Sequence, residues 1–96
     1  MASLEKIKEK RDQIYKSAKV HKIDNIRVFG SYARNEASDD SDIDLLVTLQ
    51  PDGSLLDRIG FMNDVKELLG VEVDVVNENA LYSLIKENVL KEAVPL

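Results

Sequence analysis

Asp42 and Asp44 are the residues most able to do chemistry in this chain. They stand two apart in Asp42-Ile43-Asp44-Leu45-Leu46-Val47-Thr48-Leu49, a run whose apolar and β-branched content reads as a strand. Side chains of a strand alternate between faces, so the two carboxylates share one face while Ile43, Leu45 and Val47 take the other, toward a core. Carboxylates beside an apolar run are costly to bury unless they are paired or bind metal. A divalent cation removes their mutual repulsion. A third aspartate, Asp74, stands in Val71-Glu72-Val73-Asp74-Val75-Val76, where the valines alternate with Glu72 and Asp74. If the two strands are neighbours, Asp74 joins Asp42 and Asp44. Aspartate oxygens suit a hard cation such as magnesium. Two such ions, about 3.5–4 Å apart, can clamp an in-line phosphoryl displacement.

Gly30-Ser31 ends the apolar segment Ile26-Arg27-Val28-Phe29. A glycine at a strand end lets the backbone come close to a phosphate. A serine adds a hydroxyl, and a following turn can aim N–H groups at an anion. Arg34, one turn on, is placed to pair with phosphate oxygens. A calcium loop is the competing use of the acids. Asp40, Asp42 and Asp44 fit its first, third and fifth positions, but Leu45 replaces the sixth-position glycine and Pro51 the twelfth-position glutamate, so it fails.

Gly30-Ser31, ten residues, then Asp42-Ile43-Asp44, within GSYARNEASDDSDIDLLV, resembles the signature of the polymerase β-like nucleotidyltransferase superfamily. The chain is most similar to the minimal nucleotidyltransferase, or MntA-like, antitoxin family. The resemblance implies that Gly30 and Ser31 cradle the triphosphate of ATP, with Arg34 as a further phosphate contact. It implies that Asp42 and Asp44 ligate two Mg²⁺ ions and that Asp74 completes the one that activates the attacking hydroxyl. It also implies a partner, a HEPN-domain toxin, neutralised by transfer of AMP from ATP to one of its tyrosines. Two other readings stay open: an antitoxin that acts by binding and occlusion without catalysis, and a catalytic subunit that nucleotidylates a small molecule.

These residues need a scaffold. Leu4 to Val20 reads as a helix with Leu4, Ile7, Ile14 and Ala18 on one side. Ile26–Phe29 is the first strand, a helical turn follows at 32–35, and Ser38-Asp39-Asp40-Ser41 is a loop. After the turn at Pro51-Asp52-Gly53, Ser54 caps a helix that stops at Gly70, with Leu55, Ile59, Met62 and Leu69 among its apolar positions. Asn79 is placed to cap a last helix whose Leu81, Leu84, Ile85 and Val89 form a stripe that reads as core. The order predicts an α/β (α+β) fold: a small mixed sheet of about three strands with helices packed on it, a palm-like nucleotidyltransferase core over a single domain at 1–96. The sheet should be mixed, because the stretch from Gly30 to Asp42 is too short for a full crossover helix.

With 96 residues, a net charge of −5 and 32% charged residues, the composition is that of a soluble globular chain. The acidity argues against direct nucleic-acid binding, which needs a basic face. With no cysteine, disulfides, thiolate metal sites and cysteine nucleophiles are excluded. No apolar run is long enough to span a membrane, and the opening residues lack the apolar run of a signal peptide, so the expectation is a cytoplasmic protein. His21 receives no role. Tyr32 is expected to pack, and Glu72 to face solvent.

Overall fold

The computed structural model describes residues 3–38 and 40–96; Asp39, in the loop expected at 38–41, lies outside them. The elements are α1 (Leu4–Glu9), α2 (Arg11–Val20), β1 (Ile23–Phe29), β2 (Ile43–Leu49), α3 (Leu55–Leu69), β3 (Val73–Asn77), a 3₁₀ turn (Glu78–Ala80), α4 (Ser83–Glu92) and β4 (Val94–Pro95). They build a mixed four-stranded sheet in the order β3-β2-β1-β4, one strand more than expected. β1 runs antiparallel to β2 and β4, whereas β2 and β3 are parallel and joined through α3. A second crossover, through the 3₁₀ turn and α4, carries the chain from β3 to β4 at the opposite edge of the sheet, where β4 runs in the same direction as β3.

Local chemistry explains most element ends. The Ser3 hydroxyl accepts from the Lys6 amide at the start of α1. Ser54 and Asp57 form a reciprocal capping box at the start of α3, and Gly70 closes that helix in the left-handed conformation. The single helix expected over 4–20 is divided at Lys10, whose amide is shared between the Lys6 and Ile7 carbonyls and whose ψ of 8° leaves the helical region. Neither glycine nor proline marks that break.

β1 begins three residues earlier than alternation predicts. A bulge between Asp24 and Arg27, with Asn25 at φ 51°, inserts one residue into β1. Ile23 and Ile26 therefore both face the core although their spacing is odd. β4 is two residues long and pairs at the open edge of β1, where a proline is tolerated. Leu96 follows it, donating its amide to the Ile26 carbonyl and burying its side chain.

The helices α1, α2 and α3 cover one face of the sheet. Ile7, Ile14, Ala18, Phe61 and Val65 pack there on Ile26, Val28, Ile43, Leu45, Val47, Val73 and Val75. The last helix departs from expectation. Asn79 lies in the 3₁₀ turn, where its amide is held by the Asn77 side chain, and Tyr82 occupies the N-cap of α4. No residue of α4 is buried, and Leu84 is 82% exposed. Its stripe is not core. On α3 the same correction applies to Leu55 and Ile59, which are exposed, while Phe61 and Val65 carry the packing. No helix among the described residues is long and apolar enough to cross a membrane.

Candidate active site

The face of the sheet away from α1, α2 and α3 carries the acids. Phe29 of β1 pairs with Asp44 of β2, and Asp44 pairs in turn with Asp74 of β3, so one row crosses three strands. The parallel register, Ile43 with Val73 and Leu45 with Val75, puts the flanking apolar residues together on the opposite face. Asp42 lies just before β2, on the exposed lead-in to the strand. Burial pushes the Asp44 carboxyl above its ordinary range, and the charges of Asp74 and then Asp42 push it further; Arg34 opposes them. Register thus joins Asp44 and Asp74, while Asp42, just outside the strand, acts on Asp44 through its charge. Among the described residues they do not close into a preformed cluster of three metal ligands.

Gly30 packs directly against this row. At φ 72° it takes a conformation that favours glycine, and a Cβ there would collide with Asp44 Oδ2. The expected turn follows: the Gly30 carbonyl accepts from the Arg34 amide at 3.2 Å, the Ser31 carbonyl from the Glu36 amide at 2.8 Å, and Asn35 closes the turn at φ 58°. Ser31 stands at its first position, partly exposed. The turn also carries Arg34, which is tied to Glu36 through Nε at 3.1 Å and to Glu92, the last residue of α4, through Nη1 at 3.2 Å. Its hydrogen bond to Glu36 is the main cause that raises the guanidinium above its ordinary value. On the far side, a cavity of about 410 Å³ opens beside Asp74, bounded by Leu55, Arg58 and Asn77.

One row along from the acids lies a group that sequence reasoning does not single out. Arg27, paired with Leu46 in the β1–β2 register, makes an ion pair with Glu78 of the 3₁₀ turn. Glu78 also accepts from the Thr48 hydroxyl at 3.1 Å and lies 3.6 Å from Lys86 of α4. The hydrogen bond from Arg27 is the largest cause that holds Glu78 below its ordinary value. Leu46 is fully buried on this face, outside the main core cluster. The available signal is Arg27 itself, a charge between the two core-facing residues Ile26 and Val28.

The remaining chemically able residues lie elsewhere. Glu72 pairs with Lys66 at 2.8 Å and is exposed. Tyr32 is buried in the core. His21 caps α2 and hydrogen-bonds Asp64 at 3.1 Å, in the helix layer.

The chain is similar to known proteins along most of its length. Residues 4–96 match the nucleotidyltransferase domain family. A candidate protein adenylyltransferase of Methanocaldococcus jannaschii is 45% identical over 74 residues, covering 77% of this chain and 80% of that protein. The protein adenylyltransferase MntA of Thermococcus cleftensis is 46% identical over 69 residues, covering 72% of this chain and 70% of its own length. A solved structure of a candidate minimal nucleotidyltransferase superposes with a TM-score of 0.90 at 41% identity, covering 99% of this chain and 97% of the other. A structure of a tri-AMPylated Shewanella oneidensis HEPN toxin in complex with MNT antitoxin shares the fold, with a TM-score of 0.67 at 20% identity over 92% of this chain and 69% of that one. By fold, by sequence and by the extent of the match, this chain belongs to the nucleotidyltransferase domain family.

Proposed function

We propose that the chain is a magnesium-dependent protein adenylyltransferase that transfers AMP from ATP to a tyrosine hydroxyl of a HEPN-domain toxin, and so acts as the antitoxin of the pair. The observation that carries this is the Asp44–Asp74 row set against the Gly30 turn. The relatives named as adenylyltransferases supply the reaction class, and the complex of an AMPylated HEPN toxin supplies the partner class. The proposal includes a cytoplasmic setting, where ATP is at hand.

The donor set fits magnesium. All three acids are aspartates, and the crowding that disfavours the charged form of Asp44 is relieved by a cation. Asp42, Asp44 and Asp74 would hold it. When bound, magnesium supplies neutralisation of phosphate charge and a lower pKa for the attacking hydroxyl. The backbone of the Gly30 turn, the Ser31 hydroxyl and Arg34 orient the triphosphate. The acceptor oxygen then forms its bond to the α-phosphorus as the bond from that phosphorus to the α–β bridging oxygen breaks. Pyrophosphate leaves, and the hydroxyl proton passes to solvent. Positioning and charge stabilisation carry such a transfer. The cavity beside Asp74 leaves room for an acceptor side chain to approach.

The test is transfer itself. The chain is mixed with the product of its neighbouring gene, Mg²⁺ and ATP, and the neighbour is weighed by intact-protein mass spectrometry, with Asp42→Ala/Asp44→Ala as control. Mass increments of AMP that vanish in the control are expected. An unmodified neighbour that still co-purifies would shift the function to occlusion. The outward apolar side of α4 favours that second reading, and an occluding protein would keep neutralising after Asp42→Ala.

A further inference from the structure

We propose that Glu92 is a positioning residue that competes with nucleotide phosphates for Arg34, coupling the last turn of α4 to occupancy of the acid site. The inference rests on the nucleotidyltransferase reading and extends it to an element outside the motif.

Arg34 is spoken for in the free chain. Glu36 takes its Nε and Glu92 its Nη1, at 3.1 and 3.2 Å. One carboxylate thus sits on each edge of the guanidinium fork, so neither edge is open for a two-point phosphate contact. The Arg34 amide donates to the Gly30 carbonyl at 3.2 Å, and Gly30 packs against Asp44, so Arg34 borders the space where phosphates would sit. Both ion pairs are about half exposed, and exposed pairs of this kind are weak and readily exchanged.

The two glutamates differ in what they are attached to. Glu36 belongs to the same turn as Arg34. Glu92 belongs to α4, which buries none of its residues and whose ion pairs to other elements on this face are Glu92 with Arg34 and Lys86 with Glu78. An anion that draws Arg34 away removes one of those two ties. By linkage, α4 in its docked position must weaken nucleotide binding by the factor with which nucleotide weakens α4 docking.

The probe is a non-hydrolysable ATP analogue with Mg²⁺, and the readout is its dissociation constant by calorimetry for the wild type, Glu92→Gln, Arg34→Gln and the double variant. Losing an acid at a helix C-terminus leaves the fold intact. Glu92→Gln should bind about two- to fivefold more tightly than wild type, the range that weak exposed pairs allow. The double variant should bind like Arg34→Gln alone. In parallel, the analogue should speed amide hydrogen exchange in the last turn of α4 in the wild type but not in Glu92→Gln. A gain that persists without Arg34 would make Glu92 a general repulsive charge and overturn the coupling. Binding that is normal in wild type and unchanged in Glu92→Gln sinks the coupling alone. No binding by the wild type sinks the nucleotide reading and the coupling with it.

Discussion

Asp44 and Asp74 are direct neighbours across the parallel β2–β3 pairing, which sets two carboxylates from different strands on one sheet face. Burial and the two neighbouring acids raise the Asp44 carboxyl above its ordinary range. The folded state therefore holds this proton more tightly than the unfolded chain, and stability falls as pH rises from the unfolded value through the raised one. Above that window the cost is complete; below the unfolded value it is absent. Asp44→Asn should raise the melting temperature at pH 7, and the gain should disappear at pH values below the ordinary carboxylate range. Thermal melts of both proteins across pH check this. If Asp44 belongs to the proposed magnesium site, Mg²⁺ should stabilise the wild type more than the variant.

Gly30 answers a different need, the close approach of the turn to Asp44. Gly30→Ala places a Cβ at φ 72° and against Asp44 Oδ2. The left-handed backbone alone costs about 1–2 kcal/mol, and the collision adds to it by moving the carboxylate. Urea denaturation should show the loss of stability, and binding of an ATP analogue with Mg²⁺ should weaken at least tenfold. Unchanged binding in a folded Gly30→Ala protein would separate the turn from the site.

Much of this arrangement is legible in the sequence, for identifiable reasons. Ile43, Leu45 and Val47 alternate with Asp44, and Val73 and Val75 with Asp74, so the faces of β2 and β3 follow from a period of two. Ser54 and Gly70 bound α3 because caps are local chemistry. What escapes is what depends on partners distant in sequence. Arg27 and Glu78 are 51 residues apart and nothing local pairs them. The bulge at Asn25 hides the true start of β1 by breaking its alternation. The stripe on α4 has the spacing of a buried face yet points outward, since periodicity shows that residues share a side and not what covers it.

His21 and Gly60 form a tight contact in the helix layer that fixes the sign of a substitution. A Cβ on Gly60 would meet the His21 ring, which hydrogen-bonds Asp64 at 3.1 Å and lies 3.9 Å from Asp57. Alanine is favoured over glycine in a helix interior by about 0.8–1 kcal/mol. Gly60→Ala in the wild type should lose that gain, because the ring must leave Asp64. In a His21→Ala background the same change should stabilise by about 0.5–1 kcal/mol. A double-mutant cycle by chemical denaturation measures the coupling; equal effects in both backgrounds would show that the ring moves aside freely.

The outward side of α4 makes a prediction that separates folding from association. Tyr82, Leu84 and Ile85 are 81%, 82% and 50% exposed, so they add little to the stability of the free chain. Leu84→Ser and Ile85→Ser should each change unfolding free energy by no more than about 0.5 kcal/mol, whereas Phe61→Ala, which empties a fully buried site, should cost about 3–5 kcal/mol. If this side meets the proposed partner, the same serine variants should weaken co-purification with the neighbouring gene product while leaving ATP-analogue binding intact. A run of exposed apolar residues on a helix with no fully buried residue is the kind of patch that association surfaces present. Serine variants that melt early would instead mean that α4 contributes to the core, and variants that co-purify normally would move the proposed partner contact elsewhere, with the exposed end of α3 at Leu55 and Leu56 the next surface to alter.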